Sequence, residues 1–190
     1  MSNKRHITFN SPVVLSFVIL SFGVMVINYL TAGLSNQMLF MTYHSSLASP
    51  LTYVRFFTHV LGHAGWSHYI GNIMYLLLLG PMLEEKYGSR AIIEVILITG
   101  LVTGLVTWFL MPSIALCGAS GVVFAFIMMT SFTSFKEGEI PLTVILVAII
   151  FIGQQVYEGI LVQDDISNMA HILGGIVGAV AGYLLNKKEK

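Results

Sequence analysis

Ser120 stands between Gly118 and Gly121 in LCGASGVVFAF (116–126), at the head of a long apolar run where a hydroxyl gains nothing from lipid. His171 opens a second apolar run, NMAHILGGIVGAVAGYLL, while His68 and Asn72 lie one turn apart in HYIGN (68–72). Taken singly, each has a plain structural reading. A serine among glycines is a close-packing position or a helix cap, and a histidine and an asparagine on one helical face can hydrogen-bond across helices. Taken together they match acyl-transfer chemistry. An imidazole can take the proton of a serine hydroxyl, and two side-chain donors with the Ser120 backbone N–H can meet the oxyanion formed when that hydroxyl attacks a carbonyl.

The elements that must position these groups are membrane helices. Of 190 residues, 56% are hydrophobic and 9% charged, against roughly 25% charged in a soluble domain, and mean hydropathy is +0.83. Runs long enough to cross ~30 Å of hydrocarbon lie near 12–33, 68–83, 91–111, 117–135, 141–162 and 168–186. They predict an all-α membrane protein with six transmembrane helices, one membrane domain over 1–190 and no soluble domain at either end. No run carries a small-residue cleavage site after a short apolar core, so the first is expected to stay in the protein as a helix. The single cysteine, Cys117, excludes an internal disulfide. Residues 34–66 are too long for a plain connector. Tyr53, Phe56, Phe57 and Trp66 among polar groups predict a loop partly embedded at headgroup level.

Basic residues collect on the cytoplasmic side of short loops. Lys4, Arg5, Lys86, Arg90, Lys136, Lys187, Lys188 and Lys190 fall on one side of the predicted spans, leaving only Arg55 on the other, with Glu158, Asp164 and Asp165 gathered there too. Both termini are therefore expected in the cytoplasm. The net charge of zero gives no sign of nucleic-acid binding. With this orientation His68, Asn72, Ser120 and His171 all sit in the first turns of helices running inward from the outer face, each within roughly 10 Å of its helix start. An ionisable group at such a depth is rarely incidental. Gly174, Gly178 and Gly182 continue the face that carries His171. This stripe lets another backbone approach, and if the partner is the start of the Ser120 helix, the imidazole reaches the hydroxyl.

At these residues the chain resembles the rhomboid family of intramembrane serine proteases, in its bacterial, minimal six-helix form. GASG (118–121) is similar to that family's Gly-x-Ser-Gly motif, HYIGN (68–72) to its His-x-x-x-Asn pair, and AHILGGIVG (170–178) to its Ala-His-x-x-Gly-x-x-x-Gly. The resemblance implies Ser120 as nucleophile, His171 as general base, and His68 and Asn72 lining the oxyanion hole. Gly118, Gly121, Gly174 and Gly178 support the packing, and His63 matches a histidine with a structural part. Glu84 and Gly88 in EEKYG resemble a Glu-x-x-x-Gly at the inner end of the second helix. The chain departs from the pattern at Val54-Arg55, where many members have Trp-Arg, and at Phe124, where bacterial members often have a tyrosine stacked on the histidine.

The mechanism implied is a dyad without a carboxylate or cofactor. Substrates would be transmembrane helices of other proteins, entering laterally from the bilayer near the second and fifth helices, the latter with Phe151, Gly153 and Tyr157; the location implied is a bacterial plasma membrane. Three other readings use the same residues: a noncatalytic rhomboid-like protein that binds membrane helices, a metal site from His59, His63, His68 and Asn72, and a small transporter with His171 as proton relay. The metal reading lacks an acidic ligand, and the transporter reading lacks an internal repeat. Oligomeric state leaves no mark in the sequence.

Overall fold

The computed structural model describes residues 8–133, 139–161 and 165–188, without the side chains of 151–152, 154–156, 158–161, 165–167 and 188. Lys4, Arg5, Lys136, Asp164 and Lys190 lie outside the described residues, as do the side chains of Phe151, Glu158, Asp165 and Lys188.

Helix α1 (Pro12–Leu30) starts with proline at a position whose N–H would have no partner within the helix. Its free N–H groups are met by a residue from elsewhere in the chain. Glu84 accepts from Val13 N–H at 3.0 Å, Val14 N–H at 3.1 Å and Ser11 Oγ at 2.7 Å, and Ser89 Oγ donates to the same carboxylate at 2.6 Å. A buried carboxylate with four donors is stable, and its charge favours the positive end of the α1 dipole. At the other end Thr31 Oγ1 donates to Ile27 O, and Ala32 and Gly33 turn the chain with φ of 49° and 91°. The helix therefore stops short of residue 33.

Predicted helices 68–83 and 91–111 are joined in one element, α3 (Trp66–Leu110), broken only at Gly88. The charged stretch EEKYGSR reads as a loop, but Glu84 finds its donors on α1 and the chain stays helical to Tyr87. One glycine at φ 81°, ψ 155° then redirects the backbone, a conformation open to glycine at little cost. Either arm, 66–87 or 89–110, reaches about 33 Å at 1.5 Å per residue.

The expected helix 117–135 is also shorter: α4 spans Ser120–Ser131. Ahead of it, Ala115–Leu116 forms strand β2, paired antiparallel with β1 (Thr42–Tyr43) in the register Thr42 to Leu116 and Tyr43 to Ala115. The fold is thus all-α in class, with a short two-stranded ribbon of two residues a side among the described residues. Helices α5 (Leu142–Leu161) and α6 (Asp165–Lys188) complete it. Among the described residues, three helical stretches, 12–30, 66–110 and 168–187, are long and apolar enough to cross a membrane.

The segment predicted as loop 34–66 holds a π-helical turn (Asn36–Phe40), β1 and the short helix α2 (Pro50–Thr58). Hydrogen bonds hold it down. Arg55 Nε donates to Met38 O at 2.9 Å with its guanidinium over the Tyr43 ring, Thr58 Oγ1 donates to Leu39 O, and Trp108 Nε1 donates to Ser45 O at 3.0 Å. Val54 beside Arg55 is exposed. The arginine of the departed pair is therefore the anchor, and no indole is needed beside it.

Helix α4 lies at the centre, with Ala119, Val122, Ala125, Phe126 and Met129 at most 1% exposed. Helix α6 runs against it at backbone contact. A Cβ built on Gly174 would stand 2.0 Å from Gly121 O, and one on Gly178 2.1 Å from Ala125 O. Carbonyls of a packed helix cannot yield as a flexible side chain does. Gly178→Ala should therefore lower the melting temperature of the purified protein, by a cost of about 1–3 kcal/mol typical of overpacking. Gly23→Ala, where a Cβ meets nothing within 4 Å, should be neutral or stabilising by the same measurement; equal losses would sink the close-contact account.

Candidate active site

The first turn of α4 is aimed by its approach. Gly118 takes φ +136° and its N–H donates to His59 O at 3.0 Å, while Ala119 N–H is directed at His63 Nε2 at 3.4 Å. His63 Nδ1 lies 3.2 Å from Leu61 O. A neutral imidazole satisfies both contacts if Nδ1 carries the proton and the Nε2 lone pair accepts. His59 is fixed in the same way, Nδ1 to Arg55 O at 3.0 Å and Nε2 to the Thr103 hydroxyl at 3.1 Å. Burial pushes both rings down to about 4, with the nearby His68 adding to the effect at His63. These two histidines are scaffold. Their nitrogens are engaged within the protein, and among the described residues no three His, Cys, Asp or Glu side chains are placed to share a metal ion.

His68 packs against this scaffold on the cavity side. Its ring centroid lies 5.2 Å from that of His63, edge to face, and a Cβ on Gly118 would stand 2.6 Å from His68 Cε1. Glycine at 118 is thus required twice, by its φ and by the ring beside it. Asn72, one turn further along α3, is buried, and its Nδ2 has no hydrogen-bond partner among the described residues.

His68, Asn72, Ser120, Phe124 and His171 line one cavity of about 400 Å³. Phe124 lies against the His171 ring with centroids 4.2 Å apart and planes tilted by 40°; the phenyl supplies the packing face without a hydroxyl. Gly121 faces Ala170 O and the methyls of Thr99 and Thr103, and Gly174 and Gly178 seat α6 on α4. Residues from α3, α4 and α6 that lie far apart in sequence thus line one cavity, while His63 stands behind His68 and outside the lining. Ser67, Gly71 and Tyr75 also line the cavity. Their i, i+4, i+8 spacing beside the His68/Asn72 pair is the sequence signal for them. Burial raises the Cys117 thiol to about 11, so it offers no thiolate at neutral pH.

A family model described as the rhomboid domain matches residues 50–188. The chain belongs to the rhomboid family. Among curated rhomboid relatives it is 32% identical over 158 residues to Rhomboid-related protein 2 of Mus musculus (72% of this chain, 52% of the relative). It is 27% identical over 147 residues to the chloroplastic Rhomboid-like protein 11 of Arabidopsis thaliana (70% and 52%). It is 26% identical over 144 residues to Rhomboid protease GlpG of Haemophilus influenzae (72% and 71%). The match spans about half the length of the mouse and plant relatives. Together with the apolar helices, rhomboid membership makes this an integral membrane protein.

The scaffold histidines carry a pH signature. Both are held neutral in the folded protein down to about 4, whereas an unfolded histidine takes a proton near ~6.5. Between those values the unfolded chain binds more protons, so stability is complete above about 6.5 and is lost as pH falls towards 4. The melting temperature should drop between pH 7 and pH 4.5, and the drop should shrink in a His59→Gln/His63→Gln variant, whatever that variant loses at pH 7. An acid response of unchanged size in the double variant would assign it to other groups.

Proposed function

We propose that this rhomboid is an intramembrane serine endopeptidase that cleaves within or beside transmembrane helices of other membrane proteins. The observation that carries the reading is the shared cavity, where a serine at a helix start, a histidine on a neighbouring helix and a buried, unpartnered amide donor converge. Family membership supports it, since rhomboid relatives include a named protease.

In this reading Ser120 Oγ attacks the scissile carbonyl carbon as His171 takes its proton. The oxyanion is met by His68, Asn72 and the Ser120 N–H. The C–N bond then breaks, His171 returns the proton to the leaving amine, and water activated by the same imidazole hydrolyses the acyl-enzyme. Substrate helices with Gly or Pro near the cut are favoured, because exposing a peptide bond in lipid breaks helical hydrogen bonds at several kcal/mol per unmet group. The two arms of α3 count as separate crossings, which with α1, α4, α5 and α6 gives six membrane segments in one bundle, both ends on the cytoplasmic side of a bacterial plasma membrane. No cofactor enters the scheme.

The test is cleavage of a single-span substrate by the purified protein. Ser120→Ala and His171→Ala should each abolish turnover while the protein stays folded, and the double variant should be little worse than either. His68→Ala or Asn72→Ala should lower kcat by up to ~10²–10³-fold with little change in KM. Substantial turnover by Ser120→Ala excludes this nucleophile. A His68→Ala protein with native kcat and a lowered melting temperature would move that residue to the scaffold.

A further inference from the structure

Gly71 lines the cavity, and among the described residues nothing packs against it. It stands inside α3 without a positive φ, and a Cβ built on it meets no described atom within 4 Å. Other glycines near the site have a visible reason to be glycine. Gly118 is required by its φ and by the His68 ring, and Gly174 and Gly178 by the backbone of α4. Gly71 answers to neither need. Glycine within a helix costs roughly 0.5–1 kcal/mol relative to alanine, so local propensity does not favour it either. What it leaves is room on the cavity wall.

That room lies on the way from the polar end of the cavity to its apolar end. On α3 Tyr75 follows His68 at i+7, and on α4 Ile127 follows Ser120 at i+7. On either helix the lining therefore extends ~10 Å past the polar groups, and Gly71 stands between them and Tyr75. The character of the wall changes along this path. Ser120, His68, Asn72 and His171 make one end polar, whereas Val123, Phe124 and Ile127 make the α4 side beyond it apolar, and the described lining contains no Asp, Glu, Lys or Arg. A carbonyl placed against Ser120 thus has an apolar recess next to it, whose width on the α3 side is set by a hydrogen in place of a side chain.

We infer that Gly71 is a specificity-determining residue: its missing side chain opens a recess that receives a large apolar side chain, leucine or phenylalanine, from a substrate residue beside the bond cut. The inference rests on the protease reading and names a substrate class for it. A side chain introduced at 71 takes the space of the substrate's, so the loss grades with the size of what is inserted.

The experiment uses the purified full chain and single-span substrates that carry alanine, leucine or phenylalanine, one position at a time, over the two residues on either side of the cut. Rates are expressed per Ser120 labelled by a fluorophosphonate, which removes misfolded protein from the comparison. At one of these positions the native chain should cleave the leucine and phenylalanine substrates at least as well as the alanine one. Gly71→Leu should lower the leucine-to-alanine ratio of kcat/KM there by roughly 10- to 200-fold, the range that one methylene commands in an apolar pocket, and Gly71→Ala by less. The melting temperature of both variants should equal or exceed that of the native chain, because a helical glycine is removed. An unchanged ratio in Gly71→Leu overturns the inference, and so does an equal loss on all three substrates or a native chain that prefers alanine at every position. If the leucine variant takes no label, Gly71→Ala makes the same comparison. A native chain that takes no label at Ser120 and cleaves none of the substrates overturns the protease reading itself, whereas cleavage indifferent to residue 71 overturns the recess alone.

Discussion

Backbone contact between α4 and α6 is the constraint from which the rest of the arrangement follows. Lipid tails are as apolar as leucine, so helices in a bilayer gain little from hiding apolar side chains and must associate through close packing and hydrogen bonds. Gly174 against Gly121 and Gly178 against Ala125 bring the two helices to the distance at which a single methyl would collide with a carbonyl. That distance sets how far His171 stands from the first turn of α4. The same logic holds α1, whose opening turn is fastened by the Glu84 carboxylate. It also holds the outer segment, whose loose carbonyls at Met38 and Leu39 are taken by Arg55 and Thr58.

Much of this could be read from the sequence because lipid makes polar and glycine residues conspicuous. An isolated histidine, a glycine stripe at i+3 and i+7, and a serine between glycines stand out against leucine and isoleucine, and His68, Asn72, Ser120 and His171 line one cavity. The runs of apolar residues overlap the described helical stretches 12–30, 66–110 and 168–187, and the outer segment contains a short helix at 50–58. What stayed hidden has a common cause: pattern reading assigns charged residues to water and apolar runs to helices. Glu84 breaks the first rule by finding donors on another helix, so a loop was expected where α3 continues. Residues 117–119 break the second, because the expected helix 117–135 begins only at Ser120, after a strand at Ala115–Leu116 that pairs with Thr42 and Tyr43.

The outer histidines show how one residue type takes different parts within ten positions. His59 and His63 are buried, neutral and used up by backbone and hydroxyl partners. His68 is half-buried and faces the cavity. The difference lies in what surrounds each ring. Where carbonyl, hydroxyl and amide partners converge, histidine becomes a rigid pin, and where the neighbours are a glycine and another ring, it lines the cavity.

The His171 ring arrives on the last helix, whereas the turn that presents Ser120 is held by residues 59 to 63, made long before. During synthesis the earlier helices can insert and the outer segment can fasten itself while the cavity still lacks one wall. If the chain is the peptidase proposed above, it is harmless to neighbouring membrane proteins, and to its own unfinished copies, until the sixth helix slides its glycines along α4. A truncated product ending before residue 171 would hold the hydroxyl in place with no base to use it.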